Sequence, residues 1–211
     1  MSAYDLEEQE QLAELKAFWT QNRNLILVAL GAALAVLAGF WIWQRYQQSL
    51  AGETSAMYAV LEKAAAANDA KKVGATASEL MEQHPRSLYA VLAALISAKM
   101  DFDAGDLKSA RVRLQWVIDN ARDPEVQAIA RLRLAGVALD EKAYDEALKV
   151  LAEKPPPPFE PLFDELRGDI LVAQGKSADA RAAYKAVLDK LKPEDEAARA
   201  LVQMKLDALG G

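Results

Sequence analysis

The 211-residue chain carries 25 Lys and Arg against 31 Asp and Glu, one His and no Cys, for a net charge of −6. Without Cys there is no disulfide, thiolate metal site or thiol nucleophile, and His84 alone cannot build a His-rich metal site or most proton relays. The acidic balance also removes the electrostatic drive toward nucleic acid, which leaves binding or scaffolding as the main class of function. No phosphate loop or dinucleotide fingerprint occurs, so neither a cofactor nor a metal is expected. Ala fills 42 positions, and so much of the best helix former points to helices in close contact.

In chain order, residues 1–24 form a short acidic tail with Lys16 and Arg23 against Asp5, Glu7, Glu8, Glu10 and Glu14. Leu6, Leu12, Leu15, Phe18 and Trp19 fall at partly helical spacing, so this tail is either a short amphipathic helix or a solvated lead-in. Leu25 to Trp43 then runs without a charge, amide or hydroxyl. At about 1.5 Å per residue such a helix spans about 28 Å, close to the hydrocarbon thickness of a bilayer. Phe18, Trp19 and Arg23 precede the run, and Phe40, Trp41, Trp43, Arg45 and Tyr46 close it. Aromatic rings favour the headgroup level and Arg can reach it, so residues 25–46 are expected to cross a lipid bilayer. A cleaved signal peptide would start basic and have a shorter apolar stretch. Lys16 and Arg23 before the span balance Arg45 and Lys63 after it, so charge leaves the orientation open. Gly31, Ala35 and Gly39 recur every four residues, a small-residue face on which another membrane helix could pack.

Residues 47–211 alternate helical patterns with short breaks, at Asn68-Asp69, His84-Pro85, Ala104-Gly105-Asp106, Asp123-Pro124, Glu141-Lys142, Pro155 to Pro158, Gly175-Lys176 and Lys192-Pro193. Strand-like alternation is not sustained anywhere, which predicts an all-α chain. The clearest unit runs from Leu166 to Pro193, with Gly168 for close helix approach, Gly175 for the turn, and Ala180, Tyr184 and Val187 on the second helix. This is the tetratricopeptide pattern of stacked helical hairpins. Leu134, Ala135, Ala138, Tyr144, Ala147 and Leu151 take the corresponding places upstream, and Gly105, Ala110, Leu114 and Val117 mark a third copy. Ala110, Ala147 and Ala180 lie 37 and 33 residues apart, near the expected period. The helix before Gly105 fits two registers: one puts Ser97 and Asp101 at the apolar positions, the other Ile96 and Met100. The Pro155–Pro158 run reads as a rigid spacer or as a recognition motif.

A hairpin solenoid exposes a curved inner surface made largely by the first helix of each pair. On this register the groove candidates are Ile129, Leu132, Leu139, Leu162 and Val172, with Asp140, Glu165 and Asp169 near them. An apolar groove edged by carboxylates suits an amphipathic or unfolded polypeptide, unless these side chains simply pack against the next helix. Arg111, Arg113, Arg131 and Arg133 either clamp a carboxylate or pair with local acids such as Glu125. His84 is placed to end a helix. The Arg167-Gly168-Asp169 tripeptide falls inside a helix at the close-packing position, and Glu194-Asp195-Glu196 suits a helix start.

Taken together, the parts resemble the ancillary subunit family of the bacterial SecYEG protein translocon. The features that carry this are KAFW in a short acidic start, an apolar span ending in FWIWQRYQQS, DELRGDILVAQGKSADARAAY within degenerate helical repeats, and the closing VQMKLDAL. The resemblance implies a non-catalytic single-pass protein of the cell inner membrane, with a cytoplasmic N-terminus and a periplasmic repeat domain. It further implies attachment to the SecYEG translocon, beside a membrane-anchored periplasmic chaperone of the prolyl-isomerase type. Unfolded client polypeptides would then pass to periplasmic chaperones. The alternative role is a structural repeat scaffold in envelope biogenesis or coordination of cell division. An enzyme working with carboxylates alone would need two facing acids in a cleft, which nothing in the sequence suggests.

Overall fold

The computed structural model describes residues 3–210, with the side chains of residues 3–10, 26 and 46–50 left aside. The readings for the Leu6 and Tyr46 side chains therefore lie outside the described residues. Helices α1 (Ala3–Ala66), α2 (Ala70–Gln83), α3 (Leu88–Asp103), α4 (Leu107–Asn120), α5 (Pro124–Asp140), α6 (Tyr144–Val150), α7 (Glu160–Ala173), α8 (Ser177–Lys190) and α9 (Glu196–Ala208) follow one another. Among the described residues there is no strand. The chain divides into two units, Met1–Gly52 and Glu53–Gly211, and α1 contributes to both.

In the first unit the stretch Leu27–Arg45 is long and apolar enough to cross a membrane. Each of its side chains is exposed, where the core helix of a soluble protein would be covered. Phe40 and Trp43 lie side by side near its end, their ring centroids 6.3 Å apart and their planes tilted by 38°.

The second unit is a series of helical hairpins: the last turns of α1 with α2, α3 with α4, α5 with α6, and α7 with α8, followed by α9. Every hairpin turns through the same backbone device. Asn68, Gly105, Lys142 and Gly175 all have left-handed φ, at 54°, 80°, 61° and 76°. After each, the next amide reaches back five residues: Asp69 to the Ala64 carbonyl, Asp106 to Asp101, Ala143 to Ala138 and Lys176 to Leu171, at 2.8–2.9 Å. This is the Schellman arrangement that satisfies the last carbonyls of a helix. The four turns lie 37, 37 and 33 residues apart. Helix starts are tied by short polar side chains: Asp69, Ser87, Asp106 and Asp123 each accept from a backbone amide of the turn they open.

The small residues expected at the helix contacts are there. Ala110, Ala147 and Ala180 are completely buried, and Leu134, Ala135, Ala138, Leu114, Val117, Leu151 and Val187 belong to the core. Four apolar clusters succeed one another along the stack. The register of α3 is also fixed. Ala98 occupies the close-packing place that Ala135 and Gly168 hold in α5 and α7, each seven residues before its turn. Ser97 and Asp101 therefore do stand at inward positions; Ser97 is buried, and Asp101 accepts from Arg113 Nε at 2.6 Å. Ile96 and Met100 pack beside the first cluster instead.

The proline run has a specific effect on this stack. Helices α2, α4 and α8 each have 14 residues, but α6 has seven. Pro155 is buried, and Pro157–Phe159 form a 3-10 turn that leads into α7. With α6 cut short, α7 also packs directly on α5. The junction is held by charge. Asp164, nearly buried, pairs with Arg167 and with Lys190 at 2.6 Å, while Arg167 donates to the Leu151 carbonyl at the end of α6.

Candidate functional site

A groove of about 440 Å³ opens between α3 and α5, within the ~300–1,000 Å³ typical of binding pockets. Its floor is Ala98, Leu114 and Val137, and Phe102, Gly136 and Leu139 flank it. Lys99, Asp103, Arg133 and Asp140 form the rim. The first two are tied together across one turn of α3 at 2.5 Å. Arg133 and Asp140 form no ion pair among the described residues.

Gly136 explains why there is room. It lies in the interior of α5, where Gly costs about 0.5–1 kcal/mol relative to Ala. A Cβ there would meet nothing within 4 Å. Packing therefore does not require this glycine, and the space above it belongs to the groove. Gly168 is the reverse case: a Cβ there would overlap the Tyr184 ring.

The groove candidates are distributed unevenly. Leu139 lines the opening, yet it also packs against the third core cluster, as Leu132 does. Ile129 is half-buried on α5. Leu162 and Val172, 49% and 40% exposed, lie on α7 and do not line this groove. Asp140 is on the rim, but Glu165 and Asp169 are engaged by Lys205 of α9 at 2.7 and 2.8 Å. Tyr184 donates to Asp169 at 2.7 Å. Burial and that carboxylate raise the Tyr184 pKa far above its ordinary value. Burial alone would lower Lys205, but its two carboxylate partners outweigh it and the pKa rises. Gly31, Ala35 and Gly39 are exposed, and Cβ atoms at either glycine would meet nothing within 4 Å.

Three of the four arginines have local acid partners, none of them Glu125. Arg111 pairs with Glu141 and Glu146, Arg113 with Asp101, and Arg131 with Glu153. Among the described residues, Arg133 alone of the four has no acid partner, and it stands on the groove rim. Phe102 and Gly136 were not among the sequence candidates. An isolated glycine inside a helical pattern, away from any turn, was the available signal for the second. His84 caps the end of α2, and Asp195 and Glu196 open α9. No group of three or more metal-binding side chains occurs among the described residues.

The tetratricopeptide repeat-like domain family matches residues 16–211. An ancillary SecYEG translocon subunit from Neisseria gonorrhoeae is 38% identical over 209 residues, covering 98% of this chain and 99% of that protein. The chain belongs to the ancillary SecYEG translocon subunit family. Members from Escherichia coli and Haemophilus influenzae are each 28% identical, covering 96% and 86% of this chain and 96% and 89% of their own lengths. No solved structure is significantly similar. Family membership thus spans the apolar helix and the repeats together, and the groove between α3 and α5 lies in the repeat part. The sequence carries no recognisable catalytic motif and no cysteine.

Proposed function

We propose that the chain is a non-catalytic, membrane-anchored adaptor at the SecYEG translocon, which receives emerging polypeptides on its repeat surface and passes them to periplasmic chaperones. The observation that carries this reading is the end-to-end match to a translocon subunit, covering span and repeats in one chain. Residues 1–24 lie in the cytoplasm, 25–46 cross the inner membrane and 47–211 face the periplasm. The anchor holds the repeat domain beside the pore, so weak contacts act at a raised local concentration. Gly31, Ala35 and Gly39 form the face that docks on a translocon helix, and a membrane-anchored chaperone of the prolyl-isomerase type is the neighbour that takes the client. The open, mixed-charge groove between α3 and α5 supports capture of an extended segment, with Leu162 and Val172 as a second exposed apolar edge.

Affinity purification of the full chain in mild detergent tests this: translocon subunits are expected to copurify. Recovery of cell-division or envelope-assembly complexes alone would overturn it. Ile in place of Gly31 and Gly39 is expected to reduce that recovery while the chain stays in the membrane. Reporters fused to the C-terminus and active only outside the cytoplasm check the orientation.

A further inference from the structure

We propose that the groove between α3 and α5 is a side-chain socket for an extended polypeptide, one that takes a large apolar residue flanked by an acidic group on one side and a basic group on the other. The inference rests on the adaptor reading and deepens it by naming the kind of segment bound. Two observations support it. The first is the vacancy above Gly136, with Phe102, Val137 and Leu139 around it. A helix-interior glycine that no neighbour needs leaves an apolar hollow the size of a bound side chain rather than of a packing defect.

The second is charge. Lys99 and Asp103 neutralise each other, which leaves Arg133 and Asp140 as opposite charges on the same helix with no ion-pair partner among the described residues. They are seven residues apart, about two turns, so about 10 Å separates them along α5. An extended chain advances about 3.3 Å per residue. Side chains in an extended segment face the same way only at every second position. An acidic and a basic residue two places before and after an apolar one are thus about 13 Å apart. They would reach the long Arg133 and the shorter Asp140 side chains, with the apolar residue over Gly136. A uniformly acidic or basic segment would meet repulsion at one end.

The test uses the full chain in nanodiscs and fluorescein-labelled Gly/Ser peptides with one central Trp. At the positions two before and two after the Trp these carry a Glu and a Lys, two Glu, or two Lys. Binding is read by anisotropy at low salt. The mixed peptide is expected to bind best, and Gly136→Leu, which fills the socket, to weaken it by about tenfold or more. Arg133→Glu makes both rim charges negative and should shift preference to the two-Lys peptide. Asp140→Lys should shift it to the two-Glu peptide, each by about two- to fivefold, as exposed ion pairs allow. Phe102→Ser gives an independent reading of the socket should the Gly136 variant lose its helical signal.

A permanently unfolded protein, reduced and alkylated α-lactalbumin, is titrated alongside. If it binds and Gly136→Leu and Phe102→Ser leave both it and the peptides unaffected, the adaptor reading stands and the socket is wrong. If the socket variants weaken binding but the rim variants do not exchange peptide preference, the charge pattern is overturned. If neither probe binds the unaltered chain, the adaptor reading and the socket fall together. If Gly136→Leu instead abolishes self-association in sedimentation, the occupant is a second copy and the proposal fails.

Discussion

The last hairpin and the groove between α3 and α5 solve the same packing problem in opposite ways. In α7 the glycine at the close-approach position is filled from across the hairpin by the Tyr184 ring. Around it the polar groups are closed off: Tyr184 donates to Asp169, and Lys205 bridges Asp169 and Glu165. In α5 the close-approach place is held by buried Ala135, and the glycine comes one residue later, facing open space. Its neighbouring charges, Arg133 and Asp140, have no ion-pair partner among the described residues. One glycine therefore serves the fold and the other leaves a surface free, although both sit in the first helix of a hairpin.

The most disruptive way to break this comparison is Gly168→Leu. The new side chain must displace a buried ring, so stability should fall by about 3 kcal/mol; Gly136→Leu should leave it unchanged or slightly higher. Equal losses in thermal denaturation of the two would erase the distinction. Arg113→Ala comes next. It leaves Asp101 half-enclosed without its cation, and also removes the Arg113 contact with the Gly74 carbonyl at 3.5 Å. A loss of about 2 kcal/mol is expected. The neighbouring Arg133→Ala should stay within about 0.5 kcal/mol, because that exposed guanidinium has no hydrogen-bond or ion-pair partner among the described residues.

A smaller effect is expected from alkali. Tyr184 and Lys205 both have folded pKa values above their ordinary ones. The neutral phenol and the charged ammonium are the forms the fold favours. Their contribution is complete below the unfolded values of 10.0 and 10.5 and declines as pH rises beyond them. Hydrogen exchange in α9 should therefore quicken above about pH 10, while the amides of α3 and α5 follow later. Lys205→Met should remove the ammonium's share of that response and loosen α9 by about 1–2 kcal/mol at neutral pH. If α9 and α5 open together in both experiments, the Tyr184 and Lys205 contacts do not lock the last hairpin separately from the groove.

How much of this was readable beforehand depends on whether a feature is local. The hairpin series was legible because turns and small contact residues repeat: Ala110, Ala147 and Ala180 all prove buried, and Gly105 and Gly175 sit at left-handed turns. Even Lys142, which adopts φ 61° without being Gly, was marked by the break in the pattern around it. The α3 register was ambiguous because Asp101 occupies an inward place that only Arg113, 12 residues on, makes tolerable. The groove was the least legible feature. Leu132 and Leu139 look alike in a helical pattern, and only the position of α3 decides that Leu139 borders an opening. The shortening of α6 is visible as prolines, but its consequence, α7 resting on α5, depends on packing between successive hairpins.

Gly136→Ala gives a small effect of opposite sign and the sharpest use of the comparison. The added methyl meets no atom within 4 Å, so no packing cost opposes the gain from restricting the unfolded chain and strengthening helix α5. A rise of about 0.5–1 kcal/mol is expected in denaturant unfolding. The same methyl projects into the socket, so affinity for the mixed-charge Trp peptide should fall modestly, by about two- to threefold if it removes about 0.5 kcal/mol of apolar contact. Stability and binding would then move in opposite directions from one substitution. At Gly168 a methyl should lower stability through the Tyr184 ring and leave groove affinity unchanged. A glycine retained at a site where alanine makes the protein more stable has its reason in what binds there, and a variant that gained stability with binding intact would remove that reason.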